Sequence, residues 1–262
     1  MISSKKFVRW IALILVLVLL LYILYSTYLI LGSFNKQNNI IDAQNQDSNI
    51  DIKNVSTIEI ILDKTNLVLK EGLEFKIDTD NKGMLVNNIE GKLLVSENKN
   101  IVDFSNKKNH AIITIPKEFK NIIIKNVSGI TKIEDLNAET LNIEIATGEC
   151  LIENVKVDKS TNFSASIGKG VFNNSTFNNF NLNLGVGETR INSKLRGECK
   201  VKSNVGNTQI VFLDGLENYT ITTKKGIGFI EVEENEVKDN TTIGNGKNKV
   251  LIEGGLGNIS II

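Results

Sequence analysis

From about residue 53 onward, apolar and polar residues alternate in short runs: "STIEIIL", "TNLVLKEG", "LEFKID", "GKLLVSE" and "AIITIP". A period of two sends successive side chains to opposite faces of an extended chain, so each run predicts a strand. Asn, Gly, Asp and Lys punctuate the runs, and no helical period interrupts them.

After Pro116 the alternation becomes a repeat. Aligned on glycine, the segments are "IIIKNVSGITKI", "LNIEIATGECLI", "TNFSASIGKGVF", "FNLNLGVGETRI", "CKVKSNVGNTQI", "YTITTKKGIGFI" and "VLIEGGLGNISI". The aligned glycines are Gly129, Gly148, Gly168, Gly187, Gly206, Gly226 and Gly257, the first six spaced by 19, 20, 19, 19 and 20 residues. The longer last step is assigned to "EENEVKDNTTIGNGKN" as a looped-out insertion. Five residues before each glycine and four after it, every position is apolar. Two residues after it the side chains are mostly small, from Thr131 and Cys150 to Thr208.

One such unit cannot bury its own apolar edge, but a stack can, with like over like at about 4.8 Å. The expected fold is therefore all-β: a single-stranded β-solenoid, a β-helix-like stack of ~20-residue coils, preceded by one N-terminal transmembrane helix. Each coil is read as two short strands meeting at a glycine corner. Paired glycines such as those of "LNLGVGETRI" belong to those corners. A phosphate cradle needs a helix after the glycines, and here a strand follows.

The amino end is different. "IALILVLVLLLYILYSTYLILG" (11–32) contains no ionisable acid or base, and as a helix it would span about 33 Å, enough to cross a bilayer core. Lys5, Lys6 and Arg9 precede it, which keeps residues 1–10 in the cytoplasm and sends the rest outside the cell membrane. A cleaved signal peptide is the competing reading. The segment is longer than a typical signal core and lacks a small-residue cleavage site, which favours an uncleaved anchor. Tyr22, Tyr25 and Tyr28 share one side and suit the outer interface. Residues 33–52, amide-rich with little to bury, read as a polar flexible stalk. Residues 53–118 read as irregular strands capping the stack, and 119–262 as the seven-coil solenoid. Ile259 and Ile261 then end the stack on an uncapped edge, a candidate homodimer contact.

Composition narrows the function classes. The 262 residues carry 30 basic and 30 acidic side chains. With the three N-terminal basic residues set aside, 27 against 30 leaves −3 for the outer part, which gives no electrostatic case for nucleic acid. His110, the only histidine, precedes a strand among polar neighbours and reads as an exposed edge residue. Cys150 and Cys199 fall in different columns three coils apart, about 14 Å along the axis. That is too far for a disulfide, so both are expected as free, buried thiols. Glu149 and Glu188 share a column with Lys169 between them, which reads as a charge-balanced surface ladder. Glu231, Glu233, Glu234 and Glu236 read as a solvated edge or a loose cation site, without the alternation of a calcium loop. No catalytic, cofactor or metal residues are assigned.

The candidate surface lies on the first strand of successive coils. Asn142, Asn162 and Asn181, flanked by Glu144, Ser164 and Asn183, form a polar ladder able to hydrogen-bond sugars or simply to keep the face soluble. Leu151 and Val171 form a small outward apolar strip.

At "AIITIPKEFKNIIIKNVSGITKI" and through the later glycine segments, the chain resembles the bacterial putative-adhesin β-strand-repeat family, a domain-of-unknown-function group. The resemblance covers roughly residues 53–262, and the anchor and stalk fit its common layout. It implies a stacked β-repeat and brings no catalytic residues. Where that family usually has an acidic residue after the corner glycine, this chain has Glu149 and Glu188 but Ile130, Lys169, Asn207 and Ile227 elsewhere. The resulting expectation is a non-enzymatic envelope protein, an adhesin or structural module with cell-wall polysaccharide or a membrane protein as partner. The alternatives are an accessory or sensor ectodomain in envelope-stress signalling and a carbohydrate-active enzyme.

Overall fold

The computed structural model describes residues 41–42, 52, 54–98 and 108–262. The expected cytoplasmic tail and membrane helix, 1–10 and 11–32, lie outside these residues. Among the described residues no helix is long and apolar enough to cross a membrane.

The strands are β1 (Ile41–Asp42), β2 (Thr57–Leu62), β3 (Asn66–Gly72), β4 (Lys76–Thr79), β5 (Met84–Ile89), β6 (Lys92–Glu97) and β7 (His110–Pro116). They continue with β8 (Asn121–Asn178), β9 (Phe180–Arg196), β10 (Glu198–Phe212), β11 (Tyr219–Lys224) and β12 (Ile230–Val232). The last are β13 (Asn235–Glu236), β14 (Thr242–Ile243), β15 (Asn248–Leu256) and β16 (Ile259–Ile261). The 58-residue β8 is no straight strand. It winds through successive coils, and its ladder continues round the corners because each coil lies directly on the last.

Parallel pairing keeps the columns in register. Phe163, Leu182, Val201 and Ile252 lie level, as do Phe172, Ile191, Ile210 and Ile261. All are almost wholly buried, each side chain contributing roughly 1.5–3 kcal/mol on leaving water. Each coil has three short runs rather than the expected two. Around Gly187, Phe180, Leu182 and Leu184 point inward from the first run, Thr189 and Ile191 from the second, Ser193 and Leu195 from the third. Besides the glycine corner there is an Asx corner, with Asp135, Asn154 and Asn174 at positive φ. Asn and Asp tolerate that conformation, and these three also form a ladder, Asn154 donating to Asp135 at 2.9 Å and Asn174 to Asn154 at 2.6 Å.

The glycine column is compulsory. A Cβ on Gly187 would meet the Gly168 oxygen at 1.7 Å, and one on Gly206 the Gly187 oxygen at 1.7 Å. In the coil of β11 and β12 the column glycine is Gly228, at φ 142, and not Gly226. Thr223 and Val232 therefore take the core positions expected for Ile221 and Ile230. Buried Thr223 fits there because its hydroxyl reaches the Lys238 and Thr241 carbonyls at 3.4 and 3.3 Å.

Both ends depart from chain order. β2 and β3 pair with the first coil of β8, while β6 and β7, later in sequence, stack outside them. Within 53–118, where irregular strands were expected, β2 with β3 and β6 with β7 thus form two further parallel layers in register with the stack. The cap proper is antiparallel: β5 on β6, and β4 on β7. β1 pairs with β5, so the expected stalk 33–52 already contains a strand. At the other end β15 and β16 insert between β10 and the β11–β12 coil. Ile259 and Ile261 are buried between two neighbours, which removes the uncapped edge on which the homodimer expectation rested. The expected looped-out insertion supplies β13 and β14, antiparallel strands covering the true end.

Candidate functional site

The first run of each coil places the six candidate residues in two neighbouring columns. Asn162 and Asn181 lie level, as do Ser164 and Asn183, with Asn142 and Glu144 one coil before. The structure brings all six onto one face, but the two columns differ in what they can still bind. Asn162 donates to the Asn142 side chain at 2.8 Å and Asn181 to that of Asn162 at 3.5 Å. These amides spend hydrogen bonds on one another along the stack, as ladders of like residues do.

Glu144, Ser164 and Asn183 instead line a groove of about 430 Å³ running along the stack. Asn126, Ile145 and Ala165 lie inward beneath them, and Val127, Ala146, Ser166, Gly185 and Asn204 form the opposite wall. The groove exists because the residues two before the corner glycine are small over several coils. Gly185 is required for that, since a Cβ there would meet the Ser166 oxygen at 2.3 Å. At the amino end, Asn126 donates to the Thr65 carbonyl at 3.2 Å and the Thr131 hydroxyl at 3.1 Å, and its Oδ1 is buried without a partner. Lys125 closes that end, paired with Glu59 at 3.0 Å. Glu59 also holds Lys92 at 2.5 Å, and the Lys92 contact foremost, then that of Lys125, keep its carboxyl below the usual range. The groove thus offers one hydrogen-bonding side chain per coil and little net charge.

The small wall was missed in the sequence, where only the alternating first run was weighed. Its signal is the small residue two places before each glycine in "IATGE", "ASIGK" and "LGVGE".

The other candidates resolve individually. His110 is exposed at the start of β7, its backbone N–H donating to Asp80 Oδ1 at 2.6 Å. Cys150 and Cys199 are both free and buried. Burial pushes both thiols up, Cys199 to about 11. Lys169 stands level with Glu188. Glu233 and Glu234 form the β12–β13 turn at positive φ, and Glu236 pairs with Lys225. Leu151 and Val171 are only half-exposed, and Arg190 follows level with Val171.

The sequence model of the Toastrack DUF4097 family matches residues 33–238. The chain belongs to this family. In this Toastrack protein the matched range stops before β15 and β16, so the inserted last coil falls outside it. Two solved structures are similar to it. One is named a "putative cell adhesion protein" from Clostridium sporogenes, 16% identical, covering 86% of this chain and 98% of its own, with a TM-score of 0.33. The other is named a "putative adhesin" from Bacteroides fragilis, 16% identical, covering 87% and 98%, with a TM-score of 0.39. Comparison with curated proteins finds no match.

Proposed function

We propose that this Toastrack protein is a non-enzymatic binding module of the cell envelope. Residues 11–32 hold it in the membrane, its amino end is cytoplasmic, and the solenoid lies outside and engages an extended wall polysaccharide. The observation carrying this reading is the groove. It repeats one polar side chain per coil at about 4.8 Å, a pitch suited to a polymer that presents hydroxyl or amide groups at similar intervals. Glu144, Ser164 and Asn183 supply acceptors and donors, and the small wall admits a chain lying along the axis. The anchor reading is supported by the length and charge pattern of the first 32 residues.

The test is co-sedimentation of the full chain, in mild detergent, with purified wall material before and after its polysaccharide is stripped. Binding should depend on the polysaccharide and fall at least tenfold in Ala146→Trp, which fills the groove. Equal sedimentation with stripped wall, or an unaffected Ala146→Trp variant, would overturn the reading.

A further inference from the structure

Past the corner glycines, the second run of three successive coils surrounds a hollow separate from the groove. Its side chains shorten along the stack: Glu188 and Arg190, then Asn207 and Gln209, then Asn258 and Ser260. These six line a pocket of about 260 Å³. The coil order supplies the third rung. In chain order Phe229 and Glu231 would follow Asn207 and Gln209, but the inserted β16 sets Asn258 and Ser260 there and moves Glu231 one rung further on. The insertion thus keeps a second acid out of the pocket.

Hydrogen-bond donors dominate what remains. Asn207 Oδ1 accepts from the Asn258 N–H at 3.1 Å, and Asn258 Oδ1 from the Phe229 N–H at 3.3 Å. Each contact uses the amide oxygen and leaves Nδ2 to donate; among the described residues neither Nδ2 has an acceptor. Arg190 is exposed and, among the described residues, forms no ion pair. Its level neighbours are Val171 and Gln209, neither of them acidic. Glu188, the one acid in the pocket, stands level with Lys169. Two cations against one acid leave a single positive charge, set among neutral donors.

We propose that this pocket is a second binding site, taking a carboxylate-bearing sugar residue of the uronic-acid class. The planar Arg190 guanidinium can hold a carboxylate through two parallel hydrogen bonds. One uncompensated cation also matches one carboxylate better than a doubly charged phosphate. Asn207, Asn258, Gln209 and Ser260 supply the neutral donors and acceptors that ring hydroxyls need. The volume falls below the ~300–1,000 Å³ of sites for larger ligands, which suits one unit of a longer chain. An acidic peptide fits less well. At this site β9, β10 and β16 are each paired on both sides, so no strand edge is open for a peptide to extend. The inference does not depend on what the groove binds.

The test is calorimetric titration of the full chain, in mild detergent, with trigalacturonate, neutral galactotriose and tri-aspartate. Trigalacturonate should bind with a roughly millimolar constant, and the other two should bind at least several-fold more weakly. Arg190→Gln should weaken trigalacturonate binding roughly tenfold at an unchanged urea midpoint. Asn207→Asp should do the same, because its carboxylate still accepts from the Asn258 N–H but now repels the ligand. Ala146→Trp, which fills the groove, should leave this binding unchanged, so that the two sites are told apart. No binding of trigalacturonate, or none lost in Arg190→Gln, would overturn the proposal. So would equal binding of galactotriose, tighter binding of tri-aspartate, or loss of trigalacturonate binding in Ala146→Trp.

Discussion

The side-chain oxygen of Asn248 accepts a hydrogen bond from the Gly197 N–H at 3.2 Å, across 51 residues of chain. Its amide nitrogen donates to the Asn218 carbonyl at 3.2 Å, so one buried side chain ties the inserted last coil to the coils on both sides. Beside it the chain skips a rung. Tyr219 stacks on Phe212 at 3.9 Å, donates to Asp214 Oδ1 at 2.6 Å and accepts from the Leu195 N–H at 3.1 Å, while Arg196 pairs with Asp214.

Asn248→Ala should remove both hydrogen bonds between the inserted coil and its neighbours, at the Gly197 N–H and the Asn218 carbonyl, and lower stability by about 1 kcal/mol. Urea unfolding followed by circular dichroism reads this. Truncation after Lys247 should be far worse, because β10 and β11 lose the strand between them. Its expected outcome is loss of one cooperative transition and rapid proteolysis within 213–247.

Gly206→Ala places a Cβ 1.7 Å from the Gly187 oxygen in a backbone at φ 128. A destabilisation above about 3 kcal/mol, or failure to accumulate folded protein, is expected. Gly91→Ala, whose Cβ would meet nothing nearer than 3.8 Å, carries only the strain of its φ of 80 and should be milder. Similar urea midpoints for the two would contradict the packing account.

Glu59 bridges Lys92 and Lys125 on the strands either side of β2. Its lowered carboxyl pKa means its contribution is fully present above the ordinary value of 4.5 and lost as pH falls through the lower folded value. Glu59→Gln should cost about 1 kcal/mol at neutral pH and flatten the acid limb of a stability–pH profile.

The thiols give the opposite sign. Cys199 is raised from 9.0 to about 11 by burial, so its contribution is complete below pH 9 and is lost as pH rises toward 11. Cys199→Ala should reduce the alkaline fall in stability over that window, whatever its effect on the absolute level. In native protein at pH 8, neither Cys150 nor Cys199 should react with an aromatic disulfide reagent until urea unfolds the stack.

The groove was half legible. Asn142, Asn162, Asn181, Glu144, Ser164 and Asn183 can be placed on one face by counting from the glycines. Which column remains free to bind could not be counted out, because it depends on the Asn162–Asn142 contact between coils. In "KKGIGFI" two glycines compete for one column, and sequence alone favours Gly226 for its regular spacing. Gly228 prevails because the cap carbonyls of Lys238 and Thr241 accommodate a threonine, Thr223, in the core column.

What the sequence determined by itself is the period of the coil and, for six of the seven aligned glycines, the glycine corner and the two inward columns counted from it. Those follow from alternation and from the lack of room for a Cβ, both local to about twenty residues of chain. What only the tertiary structure decided is the order in which coils stack. Each coil offers its neighbours nearly the same ladder of hydrogen bonds and apolar columns, so repetition cannot say that β15 belongs between β10 and β11. That choice lies with single side chains at the ends, Asn248 among them, and with antiparallel strands that cover whichever coil is left outermost.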